Sequence, residues 1–280
     1  MGQIRVGTSG WRYTSWRGDF YPRGLVQRRE LEYLAARTSS VELNGSFYAL
    51  QRPSTYARIA AETPDDFMVA VKGSRFITHL QRLRDVEVPL ANFLASGLLA
   101  LGPKLGPLLW QLPPSLAYDE LLARSFLGLL PRTTYELAHL ARLHDDRLTA
   151  DQVVLAPTVQ RPVRHALEVR HDSWLSEPAL ELLRAYDVGL VVADSPGRWP
   201  YSEARTSSLR YVRLHGHSEL YASGYSGRSL DTWATRCRLW AAEGDDVFVY
   251  FDNDARGRAP HDAAGLLRRL APIGVEADSA

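Results

Sequence analysis

A chain of 280 residues, 45% hydrophobic and 23% charged, has ordinary globular composition and is long enough for two average domains or one large α/β barrel. Its formal net charge of +1 excludes a global field that would steer it to nucleic acid or acidic membranes, so any anion preference must come from a local patch. The single cysteine, Cys237, excludes an internal disulfide and a zinc site built from spaced cysteines.

The first residues, Met1-Gly2-Gln3-Ile4-Arg5-Val6, enter a strand-like segment with no apolar leader ahead of it. Val6 stands where a myristoylation pattern needs Ser or Thr, and no apolar run is long enough to span a bilayer. A cytoplasmic protein with no membrane partner is the expectation. Eight short apolar runs then read as strands: Ile4–Thr8, Ser40–Asn44, Phe67–Lys72, Leu108–Leu112, Ala166–Arg170, Gly189–Asp194, Leu209–His215 and Val247–Asp252. Helix-compatible segments fall at Gln27–Arg37, Ser54–Glu62, Asp119–Leu130, Pro178–Tyr186, Ser229–Glu243 and Pro260–Leu270. Strands alternating with helices imply parallel pairing through right-handed crossovers. Eight such units close most simply into a single (β/α)8 TIM-type barrel over residues 1–272, with a frayed tail at 273–280. The alternative is an open doubly wound sheet, but Gly7-Thr8-Ser9-Gly10-Trp11 does not match GxGxxG, and there is no nucleotide-cofactor motif. Between strands 4 and 5 lies a long insertion, Pro131–Val163, expected to carry a helix around Tyr135–Leu143 and a short strand at Val153–Leu155. Gly216–Gly227, rich in Gly, Ser and Tyr, reads as a long loop.

Side chains alternate across a strand, so in a barrel one parity meets the helices and the other meets the lumen. Setting Val41 and Leu43 outward turns Glu42 and Asn44 inward. The same rule turns Lys72, Glu168, Arg170, Asp194, Tyr211, Arg213, His215 and Asp252 inward, with Val191 and Ala193 outward on strand 6. Strand 4 is apolar on both sides until Gln111. The expected ring is therefore Glu42, Lys72, Gln111, Glu168, Arg170, Asp194, Arg213, His215 and Asp252, at the strand ends where barrel enzymes place their chemistry. Buried charges must pair, meet water or meet a ligand; an ion-pair plug of the barrel mouth is the bland alternative, with Glu168–Arg170 its foremost pair.

Several motifs occur in order along the chain: Gly7-Thr8-Ser9-Gly10-Trp11, Val41-Glu42-Leu43-Asn44 with Phe47-Tyr48, Lys72 with Ile77-Thr78-His79, and Gln111-Leu112-Pro113-Pro114-Ser115. They continue with Glu168-Val169-Arg170-His171-Asp172-Ser173-Trp174, Tyr211-Val212-Arg213-Leu214-His215-Gly216 and Tyr250-Phe251-Asp252-Asn253-Asp254. Together they resemble the YecE-like family, also called domain-of-unknown-function family 72, over nearly the whole chain. The resemblance implies a TIM-type barrel and supplies no activity. Ser46 and His261 depart from residues common in that family, without consequence for the fold.

Retaining glycosidases need two carboxyl groups about 5–5.5 Å apart; the ends of strands 4 and 7, where common barrel glycosidases carry them, hold Gln111 and His215. A multi-metal phosphodiesterase needs several His, Asp and Glu ligands. Here Glu42, His79, Glu168, Asp194, His215 and Asp252 share their ring with Lys72, Arg170 and Arg213, whose charge opposes a cation cluster; a single divalent metal stays open. Metal-free acid–base chemistry on an anionic, phosphate- or phosphodiester-containing substrate fits the residue types best. Lys72, Arg170 and Arg213 would hold the anion, and His215 would move protons with Glu168 or Asp194 as base or orienting group. Glu42, Asn44, His79, Gln111, Trp174, Tyr225, Asp252 and Asn253 complete the expected substrate contacts, with Trp174 and Trp11 as pocket walls and Phe47 as helix-layer packing. The alternatives are a non-catalytic nucleic-acid or nucleotide binding module, and a sugar-phosphate isomerase or lyase.

Overall fold

The computed structural model describes residues 1–271; the expected tail at 273–280 lies outside the described residues. Nine strand segments, all parallel to their neighbours, form one sheet: β1 Ile4–Ser9, β2 Ser40–Leu43, β3 Met68–Lys72, β4 Leu105–Gln111, β5 His165–Glu168, β6 Val188–Leu190, β7 Val192–Asp194, β8 Leu209–Leu214 and β9 Asp246–Phe251. The spatial order is β6-β5-β4-β3-β2-β1-β9-β8-β7. β6 and β7 are two halves of one stave: β6 pairs with β5 and β7 with β8, with Val191 between them. That partner switch brings the two sheet edges together, giving a nearly closed eight-stave barrel of the TIM type.

The helices are α1 Glu30–Ala35, α2 Gly45–Tyr48, α3 Pro53–Ala61, α4 Glu87–Ala95, α5 Glu120–Leu129, α6 Thr134–Ala141, α7 Glu177–Ala185, α8 Gly227–Ala242 and α9 Ala259–Leu270. Local chemistry sets their starts. Asp119 and Thr133 accept the N–H groups of Leu122 and Glu136 at the heads of α5 and α6, and Pro53 occupies the first turn of α3. Capping oxygens and an early proline satisfy or remove the N–H groups that a helix start leaves unpaired. None of the described helices is long and apolar enough to cross a membrane.

Two elements differ from the sequence expectation. α4 was not anticipated: residues Leu90 through Ala95 are all buried, so it shows no polar stripe and hence no helical period. Val153–Leu155 is not a strand. Val154 N–H instead donates to Ala95 O at the end of α4, and the insertion makes its one isolated bridge between Thr133 and Pro162.

Apolar side chains separate into two clusters. The larger lies between staves and helices and includes Val41, Val69, Trp110, Leu167, Val212 and Val249. The smaller fills the barrel interior with Ala70, Leu109, Ala166, Val191, Ala193, Leu209, Tyr211, Phe248 and Tyr250. Small and aromatic side chains alternate there, which suits a narrow lumen. The interior is thus plugged by packing at its middle, which separates the polar residues of the C-terminal mouth from Arg5, Arg164 and Asp246 at the opposite end. Gly7 permits the tight β1–β2 approach, since a Cβ there would stand 1.9 Å from Ser40 O.

Strand 6 is the one stave whose parity is reversed. Val191 and Ala193 belong to the interior, while Val188, Leu190 and Val192 belong to the outer layer. Both faces of this run are apolar, so alternation carried no signal, and Asp194 turns away from the lumen.

Trp110 is fully buried and donates its indole N–H to His165 Nδ1. Trp110→Ala is expected to cost about 3–5 kcal/mol through lost packing and the cavity left behind, measured by urea unfolding against the parent protein.

Candidate functional site

Parity places one guanidinium at the centre of the barrel mouth. Arg213, on β8, is 1% exposed and makes contacts in every in-plane direction. Its Nε and Nη2 bond the two oxygens of Glu42 at 3.1 and 2.9 Å. Nη1 bonds Glu168 Oε2 at 2.7 Å, and Nη2 also reaches Asp252 Oδ2 at 3.0 Å and Ser9 Oγ at 2.8 Å. Glu42 further accepts from the Tyr211 hydroxyl at 2.6 Å and from Ser9 Oγ. Asn44 Nδ2 donates to Ser9 Oγ at 2.8 Å. Arg170 Nε and Nη2 hold Glu168 Oε1 at 3.1 and 3.0 Å, and its guanidinium lies 4.2 Å from the centre of the Trp199 ring.

These pairings govern protonation. Burial alone would raise the Glu168 carboxyl, but Arg213 and Arg170 hold it well below the usual carboxylate range. Burial acts the same way on Asp252, which Arg213 and then the nearby His215 bring down to about 2. Asp254 goes the other way: burial, then the neighbouring Asp252 charge, raise its carboxyl well above normal. It sits beside the Tyr13 hydroxyl, which burial and Asp254 likewise push up.

Above this network opens a cavity of about 510 Å³ lined by Tyr13, Asn44, Phe47, Tyr48, Lys72, Gln111, Arg170, Arg213, Tyr221 and Asp252. Lys72, at the end of β3, is 8% exposed, and its Nζ lies 4.4 Å from the centre of the Phe47 ring. No carboxylate among the described residues lies within 4.0 Å of it. Burial, then Arg213, bring its amine down to about 8 against the pull of Glu42, Glu168 and Asp252. His79 stands at the rim, edge-on to Phe47 at 5.2 Å. Burial and the Arg170 and Lys72 charges lower it to about 4, so it is neutral at pH 7.

Of the expected site residues, the cavity brings together Asn44, Lys72, Gln111, Arg170, Arg213 and Asp252, with Glu42 and Glu168 directly beneath. The others are placed differently. His215 is fully buried behind this layer, with its ring edge-on to Tyr221 at 5.5 Å, and it does not line the cavity. Its Nδ1 is 3.0 Å from Asp252 Oδ2 and its Nε2 3.7 Å from Glu168 Oε1, but neither contact has hydrogen-bond geometry. Glu168, clamped by two arginines and held ionised, is positioned as a structural anion rather than as a base. Asp194 accepts the Tyr225 hydroxyl at 3.0 Å and faces a separate cavity of about 600 Å³ beside Trp199 and Arg236. Tyr225 is spent on that bond and on Gly216 N–H. Asn253 ties the β8–α8 loop to α9 through Ser223 O and Asp262 Oδ2. Trp174 is core, donating to Leu116 O beneath Tyr118, because the chain after β5 turns outward into the helix layer. Trp11 lines a smaller neighbouring cavity of about 270 Å³.

The residues that sequence reasoning did not assign are Ser9, Tyr13, Phe47, Tyr48, Tyr221 and Asp254. Applying the same parity to β1 would have turned Ser9 inward beside Glu42. Phe47 belongs to the four-residue α2, too short to show a period, and Tyr221 depends on the loop's path, including its own φ of 61°.

The donor set does not fit a metal. Glu42, Glu168 and Asp252, the carboxylates that would serve as ligands, converge on the Arg213 guanidinium, which stands where a cation would sit. Among the described residues no three His, Cys, Asp or Glu side chains form a ligand cluster.

Comparison with known proteins agrees with this architecture. The family model described as "Protein of unknown function DUF72" matches residues 5–278. The chain is 25% identical to the UPF0759 protein YunF of Bacillus subtilis, over 95% of this chain and 94% of that protein. It is 31% identical to the UPF0759 protein YecE of Escherichia coli over a shorter stretch, 46% of this chain and 44% of that one. A crystal structure of a DUF72 family protein from Thermotoga maritima superposes with a TM-score of 0.75 at 25% identity, covering 96% of this chain and 99% of that chain. A second, from Enterococcus faecalis, gives 0.72 at 18% identity, covering 96% and 95%, and speaks to the fold alone.

Arg213→Met would leave three buried carboxyl groups without their shared cation. The expected loss at pH 7 is about 3–5 kcal/mol, read from denaturant unfolding. In the parent protein, the stability carried by the depressed Glu168 and Asp252 is complete above about pH 5 and declines as the pH falls toward 2. The variant should lack that decline, so its deficit should shrink in acid.

Proposed function

Because the chain belongs to the DUF72 family, whose description carries no activity, we propose a function from the cavity itself: acid–base catalysis on a small, phosphate-bearing anion. The carrying observation is Lys72, a buried amine in the cavity wall with no carboxylate partner within 4.0 Å among the described residues. Three carboxylates nearby are already committed to Arg213 and Arg170, so the cation left for a ligand is the ammonium of Lys72. Arg170, 11% exposed with Glu168 on one edge, and the amides of Asn44 and Gln111 add donors. Arg and amide donors suit the several oxygens of a phosphate group. A volume of about 510 Å³ fits a small molecule, and Tyr13, Phe47, Tyr48 and Tyr221 provide flat walls for its uncharged part.

An amine brought down to about 8 exchanges its proton near physiological pH, the condition for efficient general acid–base work. As the neutral amine, Lys72 accepts a proton from an attacking water or from the substrate; as the ammonium it returns one. Hydrolysis of a phosphate ester is the simplest reaction this arrangement serves. A small ligand is favoured over a duplex because the cations sit on the cavity floor, Lys72 at 8% and Arg213 at 1% exposure, out of reach of an unbent backbone.

Isothermal titration with inorganic phosphate and glycerol 1-phosphate tests this reading. Lys72→Met should weaken binding at least tenfold, about 1.4 kcal/mol, while the thermal midpoint stays at or above that of the parent. In the parent, affinity should be full below about pH 8 and fall as the pH rises through it, because the ammonium loses its charge. Affinity unchanged in both Lys72→Met and Arg170→Met would refute the assignment.

A further inference from the structure

The chain contains thirty-three lysine and arginine residues, and only two are lysines, Lys72 and Lys104. Elsewhere the sequence uses arginine whenever it needs a cation, on the surface and in the barrel mouth alike. Lys104 has a structural duty at the opposite end of the barrel. It precedes β4, and its Nζ donates to Ala60 O and Thr63 O, both at 2.6 Å, fastening the end of α3. Among the described residues Lys72 Nζ makes no such bond. Arginine would hold an anion in the cavity at least as well, through a planar fork of donors that never deprotonates. A primary amine there offers what arginine cannot, a nitrogen lone pair.

We infer that Lys72 forms an imine with the carbonyl carbon of a phosphate-bearing aldehyde or ketone bound in the cavity. The inference rests on the reading of this cavity as an anion site and narrows its substrate to a carbonyl compound, hence its reaction to carbon–carbon or carbon–hydrogen bond chemistry on a sugar-phosphate-like molecule. The geometry supports it in three ways. The amine is buried, at 8% exposure, and that desolvation favours its neutral form. Among the described residues it has no carboxylate within 4.0 Å that would hold it as an ammonium. Arg170, whose Nε and Nη2 are committed to Glu168, lines the same cavity as Gln111 and offers its Nη1 edge to the phosphate end while the carbonyl meets the amine. Lowering the amine from 10.5 to about 8 raises its neutral fraction at pH 7 about three-hundredfold, which is how a lysine becomes a nucleophile. The step balances without a further reagent. The ammonium and the carbonyl give a protonated imine and one water: the C–N bond forms and the C–O bond breaks. Two of the three ammonium protons depart in the water, and one remains on the iminium nitrogen.

The test uses the full-length protein with glycolaldehyde phosphate and sodium cyanoborohydride at pH 7.5, followed by peptide mass mapping. Only three amines exist to be labelled: Met1, Lys72 and Lys104. The reduced adduct should appear on Lys72 at least tenfold faster than on the other two, be slowed by inorganic phosphate, accelerate as the pH rises toward 8, and be missing in Lys72→Arg. An adduct confined to Met1, or none at all, overturns the imine. Titration of the parent with glycerol 1-phosphate, which has no carbonyl, separates the two readings. If it binds while no Lys72 adduct forms, the anion site stands and the covalent step falls; if it does not bind either, both fall.

Discussion

Three carboxylates, Glu42 on β2, Glu168 on β5 and Asp252 just past β9, converge on one guanidinium, Arg213 on β8. Staves from opposite sides of the barrel are thereby fastened at their C-terminal ends by a single planar cation. A buried guanidinium with unsatisfied donors would be prohibitive, and so would three buried carboxylates without it. The Arg213 cluster is therefore indivisible: it constrains the mouth as one unit, and every other polar residue there takes its state from it.

The first consequence is electrostatic. With Glu42, Glu168 and Asp252 engaged, the mouth carries little uncommitted negative charge, and burial and the Asp252 charge push the Asp254 carboxyl well above its ordinary range. The second is positional. Below the cluster the lumen closes with Tyr211, Tyr250, Phe248 and small aliphatic residues, so nothing can pass deeper. Above it the cavity has a floor of fixed dipoles, a wall of aromatic rings and one amine outside the pairing scheme. A ring of mixed charges, which in sequence resembles either a plug or a site, resolves here into both: a plug around Arg213 with a cavity resting on it.

The β7 end follows a separate logic. Asp194, Tyr225 and Gly216 clasp the loop after β8, and Asn253 with Asp262 anchors the same loop to α9. These bonds carry the chain from Gly216 around to Tyr221, whose ring then covers His215 and enters the cavity wall. Residues expected to contact substrate thus shape a loop that lines the cavity through Tyr221.

The barrel was legible in the sequence because eight strand-like runs alternate with helix-compatible segments, and strands 2, 3, 5, 7 and 8 set a helix-facing apolar parity against a lumen-facing one. Parity also gathered Glu42, Lys72, Glu168, Arg170, Arg213 and Asp252 at the mouth, but it put Asp194 in the same ring, and the structure turns that residue away from the lumen. The sequence could not orient the sixth stave, where Leu190 and Val192 compete equally with Val191 and Ala193, nor reveal α4, whose residues from Leu90 through Ala95 are all buried. Only the tertiary structure decided how the charges divide. Pairing depends on distances between staves that are remote in sequence, so the histidine went behind the network, Glu168 went under two arginines, and Lys72 was left in the cavity without a carboxylate partner among the described residues.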